Sequence, residues 1–184
     1  LASRSRGTYL SHAKTFSRHP RFRLLAGVDP DARARARFRQ RYRREAFAHA
    51  VEALKKHPAE VVILASPTAT HATLLRKILK VGQPKAILCE KPLAERPAEA
   101  LAMVRLCKRR GVSLFVNYMR RSDPAVLQVE QQIRKGEILP PLRGVVWYTK
   151  GFLHNASHFF QLLEFWLGPA RRGRLLGKPR RRGK

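Results

Sequence analysis

Residues 86–94 read A-I-L-C-E-K-P-L-A, an apolar run that ends on a carboxylate, an ammonium and a proline. Glu90 can accept hydrogen bonds from ligand hydroxyls, and Lys91 can take up or return a proton. Farther along, His154 and His158 stand four residues apart in G-F-L-H-N-A-S-H, on one face of any helix that carries them. A histidine titrates near neutrality and can share a proton with a lysine. Histidines at this spacing also ligate metals, but no third ligand accompanies them, so no metal is expected. Each of these residues also has a plainer role. Lys91 alone is a solvated lysine, and the histidine pair alone caps and packs a helix.

The elements around them decide which role applies. A short helix is predicted over 9–19, then a strand over 21–29 that ends on Asp29. Pro30-Asp31 starts a helix running to about Tyr42, with proline at an early helical position, although the Arg/Ala alternation there also fits a strand. Residues 45–47 form a short strand and 49–57 a helix stopped by Pro58. A-E-V-V-I-L-A-S-P is apolar continuously rather than alternately, as expected of a strand covered on both faces. Helices over 71–81 and 96–110 flank the strand 86–89, and 112–117 forms another strand. Strand and helix alternate without hairpin signals, which predicts a doubly wound parallel sheet of α/β class. After Asn117 the rhythm changes to a helix over 124–135, a strand over 143–150 and a helix over 157–167.

In an open parallel sheet, ligands collect beyond the carboxyl ends of the strands. Those ends carry Asp29, then Ser66-Pro67-Thr68, then Glu90-Lys91-Pro92, then Asn117 with Arg120 and Arg121. Asp29 alone would serve as a helix cap, and Ser66-Pro67-Thr68 alone as a turn. Their recurrence at equivalent positions favours a binding cleft.

Composition sets the outer bounds. At 184 residues there is room for one domain and part of a second, and a 44% hydrophobic fraction is enough for a core. The two cysteines, Cys89 and Cys107, have neither metal-site spacing nor a disulfide framework, which fits a reducing cytoplasm. No leader-like or membrane-length apolar run is visible, so no membrane partner is expected. A formal charge of +27 comes from 39 basic and 12 acidic residues, concentrated at 31–44 and 170–184. Alternate arginines scatter around a helix instead of forming one groove-reading face. Nucleic acid is therefore expected only as a non-specific partner, and residues 170–184 read as a disordered basic tail.

Five segments carry a resemblance: V-D-P-D-A-R-A-R-A, V-V-I-L-A-S-P-T-A-T-H-A, I-L-C-E-K-P-L-A, V-N-Y-M-R-R-S-D-P-A and H-N-A-S-H-F-F-Q-L-L-E-F-W-L-G. In this order, across about residues 8–169, the chain resembles the Gfo/Idh/MocA family of NAD(P)-dependent oxidoreductases acting on sugars, inositols and related polyols. The resemblance implies a Rossmann domain over 1–118, the beginning of an α/β substrate domain over 119–169 and the basic tail over 170–184. It implies that Asp29 faces the adenosine ribose, favouring NAD over NADP, and that Ser66, Pro67, Thr68 and His71 line the cofactor. Glu90 would sit by the nicotinamide ribose, with Asn117 and Arg121 near the nicotinamide end. Lys91 would be the catalytic lysine, its bond to Pro92 cis, and a nearby oxidised nicotinamide would favour its neutral form.

His158 matches the family's catalytic histidine. His154 and Gln161 stand where the family has acids, which alters the proton relay and substrate choice. The family's phosphate-binding G-x-G-x-x-G and the strand before it are not found in L-A-S-R-S-R-G. Most of the second domain's sheet, and with it the family's dimer contact, is likewise not found. The sequence thus reads as a piece of such an enzyme that keeps the lysine's surroundings while lacking parts needed for turnover. The alternative is a non-catalytic basic protein that binds nucleic acid or other polyanions through its arginine-rich segments.

Overall fold

A computed structural model describes residues 11–139, 141–149 and 151–174. The chain divides into two compact units, Leu1–Asn117 and Tyr118–Lys184. The first begins with α1 (His12–Arg18), whose cap Ser11 accepts a hydrogen bond from the Lys14 N–H. Then follow β1 (Ala26–Val28), α2 (Ala32–Tyr42), β2 (Glu45–Phe47) and α3 (Ala50–Lys56). Next come β3 (Val61–Leu64), α4 (His71–Val81), β4 (Ala86–Cys89), α5 (Pro97–Arg109) and β5 (Ser113–Val116). All pairings are parallel, in two groups ordered β1–β2 and β3–β4–β5, so the α/β expectation holds.

Helix α4 shows why these segments fold as they do. His71, Ala72, Leu75, Ile78 and Leu79 recur at helical spacing and are all buried, giving one apolar face. That face packs with Ile87 and Cys89 of β4 and with Met103 and Cys107 of α5 in the main core. Helix α5 starts on Pro97, where a missing N–H costs nothing. It ends with Gly111 at φ +66°, and the Val112 N–H reaches back to the Cys107 carbonyl at 3.0 Å. A left-handed residue closing the last turn favours glycine, which has no Cβ to clash.

Several expectations need correction. The strand placed at 21–29 shrinks to Ala26–Val28, because its ladder extends only as far as the three residues of β2. The segment left open between helix and strand is helix α2, and Asp31 rather than Pro30 begins it. The Asp31 carboxylate caps the Arg33 N–H at 2.9 Å, and Pro30 lies outside the helix. No residue of α2 is buried, and its arginines stand around an exposed helix.

In the second unit, α6 (Pro124–Arg134) is capped by Asp123, and α7 (Ser157–Leu167) follows a π-helical turn at Phe152–Ala156. The Trp166 indole N–H donates to the Val126 carbonyl at 3.0 Å, tying α7 to α6. The strand placed at 143–150 is absent: residues 141–149 have no regular structure, and Val145 and Trp147 are 76% and 88% exposed. Its β-branched composition favours extended backbone, but no neighbouring strand among the described residues offers a ladder. Of the predicted basic tail, residues 170–174 are irregular and the remainder lies outside the described residues, as do residues 1–10. Among the described residues no helix is long and apolar enough to cross a membrane.

Ile87 is fully buried at the centre of β4. Ile87→Ala is expected to destabilise the chain by about 2–5 kcal/mol in urea unfolding, since it removes three carbons from a packed site.

Candidate active site

Register places the chemistry. Leu64, Cys89 and Val116 are aligned across β3–β4–β5, so Glu90 and Asn117 leave the sheet side by side, with Ser66 two residues beyond Leu64. The Asn117 amide donates to Glu90 Oε1 at 2.7 Å. His12 Nε2, at the start of α1, donates to the same oxygen at 2.7 Å. Burial works to raise the Glu90 pKa. The hydrogen bonds from Asn117 and His12, the charge of His12 and the Lys91 N–H together outweigh it, holding the carboxyl below the usual glutamate range. Glu90 is thus kept as a carboxylate with lone pairs that can meet ligand hydroxyls.

Lys91 follows at once, half-buried, joined to buried Pro92 by a cis peptide bond. The loop that carries it is fixed from beneath by His71. His71 is 1% exposed, and its Nε2 donates to the Ser66 carbonyl at 2.8 Å. With the proton on Nε2, Nδ1 is an acceptor, and the Cys89 thiol lies 3.3 Å from it. The Leu93 carbonyl lies 3.2 Å from the same nitrogen. His71 therefore joins the exit of β3 to the Lys91-Pro92-Leu93 loop, and its buried ring contributes position. Burial, with Glu90 and Cys107 nearby, pushes the Cys89 thiol up to about 12. It is an inert donor, not a nucleophile.

Ser66 and Thr68 lie at the turn between β3 and α4. Thr70 Oγ1 donates to the Pro67 carbonyl at 2.7 Å and lies 2.8 Å from Ser66 Oγ, which holds this turn in shape. Asp29 ends β1 in the other ladder of the same unit. Its Oδ1 accepts the Asp31 N–H at 2.8 Å, and its carbonyl accepts from Arg35 at 2.8 Å. Asp29 thus shapes the turn into α2, and its partly exposed carboxylate keeps lone pairs for further donors.

The other expected residues belong to the second unit. Arg121 lies with its guanidinium 4.3 Å over the ring of Phe165, and Arg120 similarly covers Phe159 at 5.2 Å. His154 is exposed within the π-helical turn, whereas His158 is buried at the start of α7, its ring edge-on to Tyr118. Gln161 Oε1 is buried and accepts no hydrogen bond among the described residues. The structure thus brings Glu90, Asn117, Ser66 and His71 together around the Lys91 loop, while Arg121, His154 and His158 gather on α7 and its approach.

His12 is the residue that sequence reasoning missed. The available signal was its place behind the cap Ser11, at the amino end of the helix leading into β1. Its partner lies 78 residues away, a distance no local pattern spans.

A parallel sheet with carboxylates, an amide and a lysine at its strand ends defines a nucleotide-binding α/β oxidoreductase type of cleft. Residues 7–118 match the oxidoreductase family with an NAD-binding Rossmann fold, and the chain belongs to that family, Gfo/Idh/MocA. It is 33% identical over 132 residues to inositol 2-dehydrogenase of Rubrobacter xylanophilus, covering 71% of this chain and 38% of that protein. It is 34% identical over 172 residues to inositol 2-dehydrogenase of Rhizobium meliloti, covering 85% and 51% respectively. The fold is also that of the WlbA dehydrogenase from Bordetella pertussis, crystallised with NADH and UDP-GlcNAcA. That match has a TM-score of 0.73 at 24% identity, covering 86% of this chain and 51% of the other. The chain thus spans about half or less of the length of these relatives.

Two outcomes test this geometry. Because the folded Glu90 pKa is depressed, its contribution to stability is present above the ordinary glutamate value of about 4.3 and is lost as pH falls through the lower folded value. Glu90→Gln should therefore flatten the loss of thermal stability between about pH 5 and pH 3. Cys89 in the folded chain should resist iodoacetamide at pH 8, where a thiol near 12 is about one part in ten thousand thiolate, and should react once urea unfolds the core.

Proposed function

We propose that the chain carries the lysine half of an NAD-dependent dehydrogenase site that oxidises a secondary alcohol of a sugar or polyol, with inositols the first candidates. The observation behind this reading is the Glu90-Lys91-Pro92 loop at the end of β4, braced by Asn117, His12 and His71. The inositol dehydrogenases among the relatives support the substrate class.

The residues present fit a dinucleotide at two points. The Asp29 carboxylate suits a ribose diol, and its negative charge disfavours the 2′-phosphate of NADP. The Glu90 carboxylate, held ionised, suits a second ribose near the Lys91 loop. An oxidised nicotinamide would supply the hydride acceptor.

What remains for the chain's own residues is to bind, orient and move one proton. Lys91 takes the proton of the substrate hydroxyl as the carbonyl forms, and His158 passes it on toward water. His154 and Gln161, at positions where the family has acids, offer neutral polar contacts to the substrate. Asn117 holds Glu90 and so fixes the direction in which the lysine loop leaves the sheet. Arg121, stacked on Phe165, presents a fixed cation to the carboxamide end of the cofactor or to the substrate.

Calorimetric titration with NAD and NADP, followed by assay of polyol oxidation, tests the reading. NAD should bind more tightly than NADP, and Lys91→Ala should lower turnover by roughly 10²–10⁴-fold without weakening NAD binding. No NAD binding at millimolar concentration by the folded chain would overturn it.

A further inference from the structure

The two ladders of the first unit leave a gap between them. Among the described residues β1 pairs only with β2, and β3 only with β4. The alternation of a parallel ladder determines which backbone groups face that gap. The Asp29 N–H bonds to the Phe47 carbonyl at 3.1 Å, so Gly27 and Asp29 serve β2. Ala26 and Val28 then direct their N–H and C=O groups to the opposite edge. On the other side, Glu60 and Leu64 accept from Ala86 and Glu90, so the even-numbered residues serve β4. Val61 and Ile63 therefore direct their backbone groups toward the same gap.

A cavity of about 670 Å³ occupies it, lined by β1 and β3 and covered by Phe16, Phe38, Ala53 and Ile78 from the helices. A residue in a packed sheet takes up about 3.3 Å along the strand, 4.8 Å across it and about 10 Å between layers, or roughly 160 Å³. The cavity thus has the volume of about four strand residues. Each of β3, β4 and β5 is four residues long. Both faces of the gap are apolar, so a strand filling it must be apolar continuously, not alternately. Arg21, Arg23 and Arg35 also border the cavity, so acidic flanks would complement its rim.

We propose that this gap is a strand-acceptor site. It binds an extended run of about four apolar β-branched residues with acidic flanks, donated by a separate chain as a parallel strand between β1 and β3. The sheet would then be continuous, in the order β2–β1–donor–β3–β4–β5. This inference stands apart from the proposed activity and is tested without cofactor or substrate.

The experiment titrates the full chain with a synthetic peptide carrying Val-Ile-Val-Ile between glutamates, and follows amide hydrogen exchange residue by residue. A control peptide has proline at the second and fourth positions of the run, which removes two ladder donors. Exchange at Ala26, Val28, Val61 and Ile63 is expected to slow at least tenfold with the first peptide and not with the second. A chain that acquires its ordered exchange pattern only when the first peptide is present would support the proposal equally. Slowing confined to the outer edge of β5, or none at millimolar peptide, would overturn it. So would protection of these four amides in the chain alone: protection independent of concentration means a segment of the same chain fills the gap, and protection that rises with concentration means a second copy does.

Discussion

Leu64, Cys89 and Val116 lie abreast in one parallel ladder, and the residues that follow them must leave the sheet at one level. This alignment turns three unremarkable strand exits into a site. A slip of one residue in β4 would turn Glu90 to the other face and carry Ile87 out of the core, so burial of Ile87 and Cys89 fixes the register. The hydrophobic effect acts on the apolar half of A-I-L-C-E-K-P, and the charged half is placed as a consequence.

Two polar devices refine what the ladder sets. Glu90 is half-buried, and burial alone would favour its neutral form; hydrogen bonds from Asn117 and His12 reverse that balance. His71 works beneath the sheet ends, bonded to the Ser66 carbonyl on one side and set against Cys89 and the Leu93 carbonyl on the other. A buried imidazole is tolerated only when its nitrogens find partners, and here those partners are the two loops that must be held. A single residue thus satisfies its own desolvation requirement and fixes the approach to Lys91.

Much of this was legible in the sequence because it rests on local patterns. Helices α4 and α7, strand β4 and the turn at Gly111 follow from periodicity, capping and a left-handed glycine, and their bounds agree closely with expectation. The strand expected at 143–150 shows the limit of such patterns. Its β-branched residues favour extended backbone, yet strands are stabilised by cross-strand neighbours, which a segment cannot supply for itself. Strand β1 shortened for the same reason. His12 was invisible because its role depends on closure between α1 and β4. His71 was expected beside the cofactor, whereas its depth in the core makes it a brace for the loops.

The two ladders are not equally well held. β3–β5 with α4 and α5 supply nearly all of the main core, whereas α2 buries nothing and Val28 of β1 is 46% exposed. At about 25 cal/mol per Å² of apolar surface, the β1–β2 side gains little from packing, and its local opening should be less costly than that of β3–β5. Asp29, the residue that would select the adenosine half of a dinucleotide, stands on this weaker side. Glu90 and Lys91 stand on the stronger one. A strand between β1 and β3 would bury Val28, Val61 and Ile63 together and join the two sides into one sheet. Positioning of the proton-transfer loop is therefore largely independent of the gap, while cofactor selection through Asp29 depends on how the gap is filled.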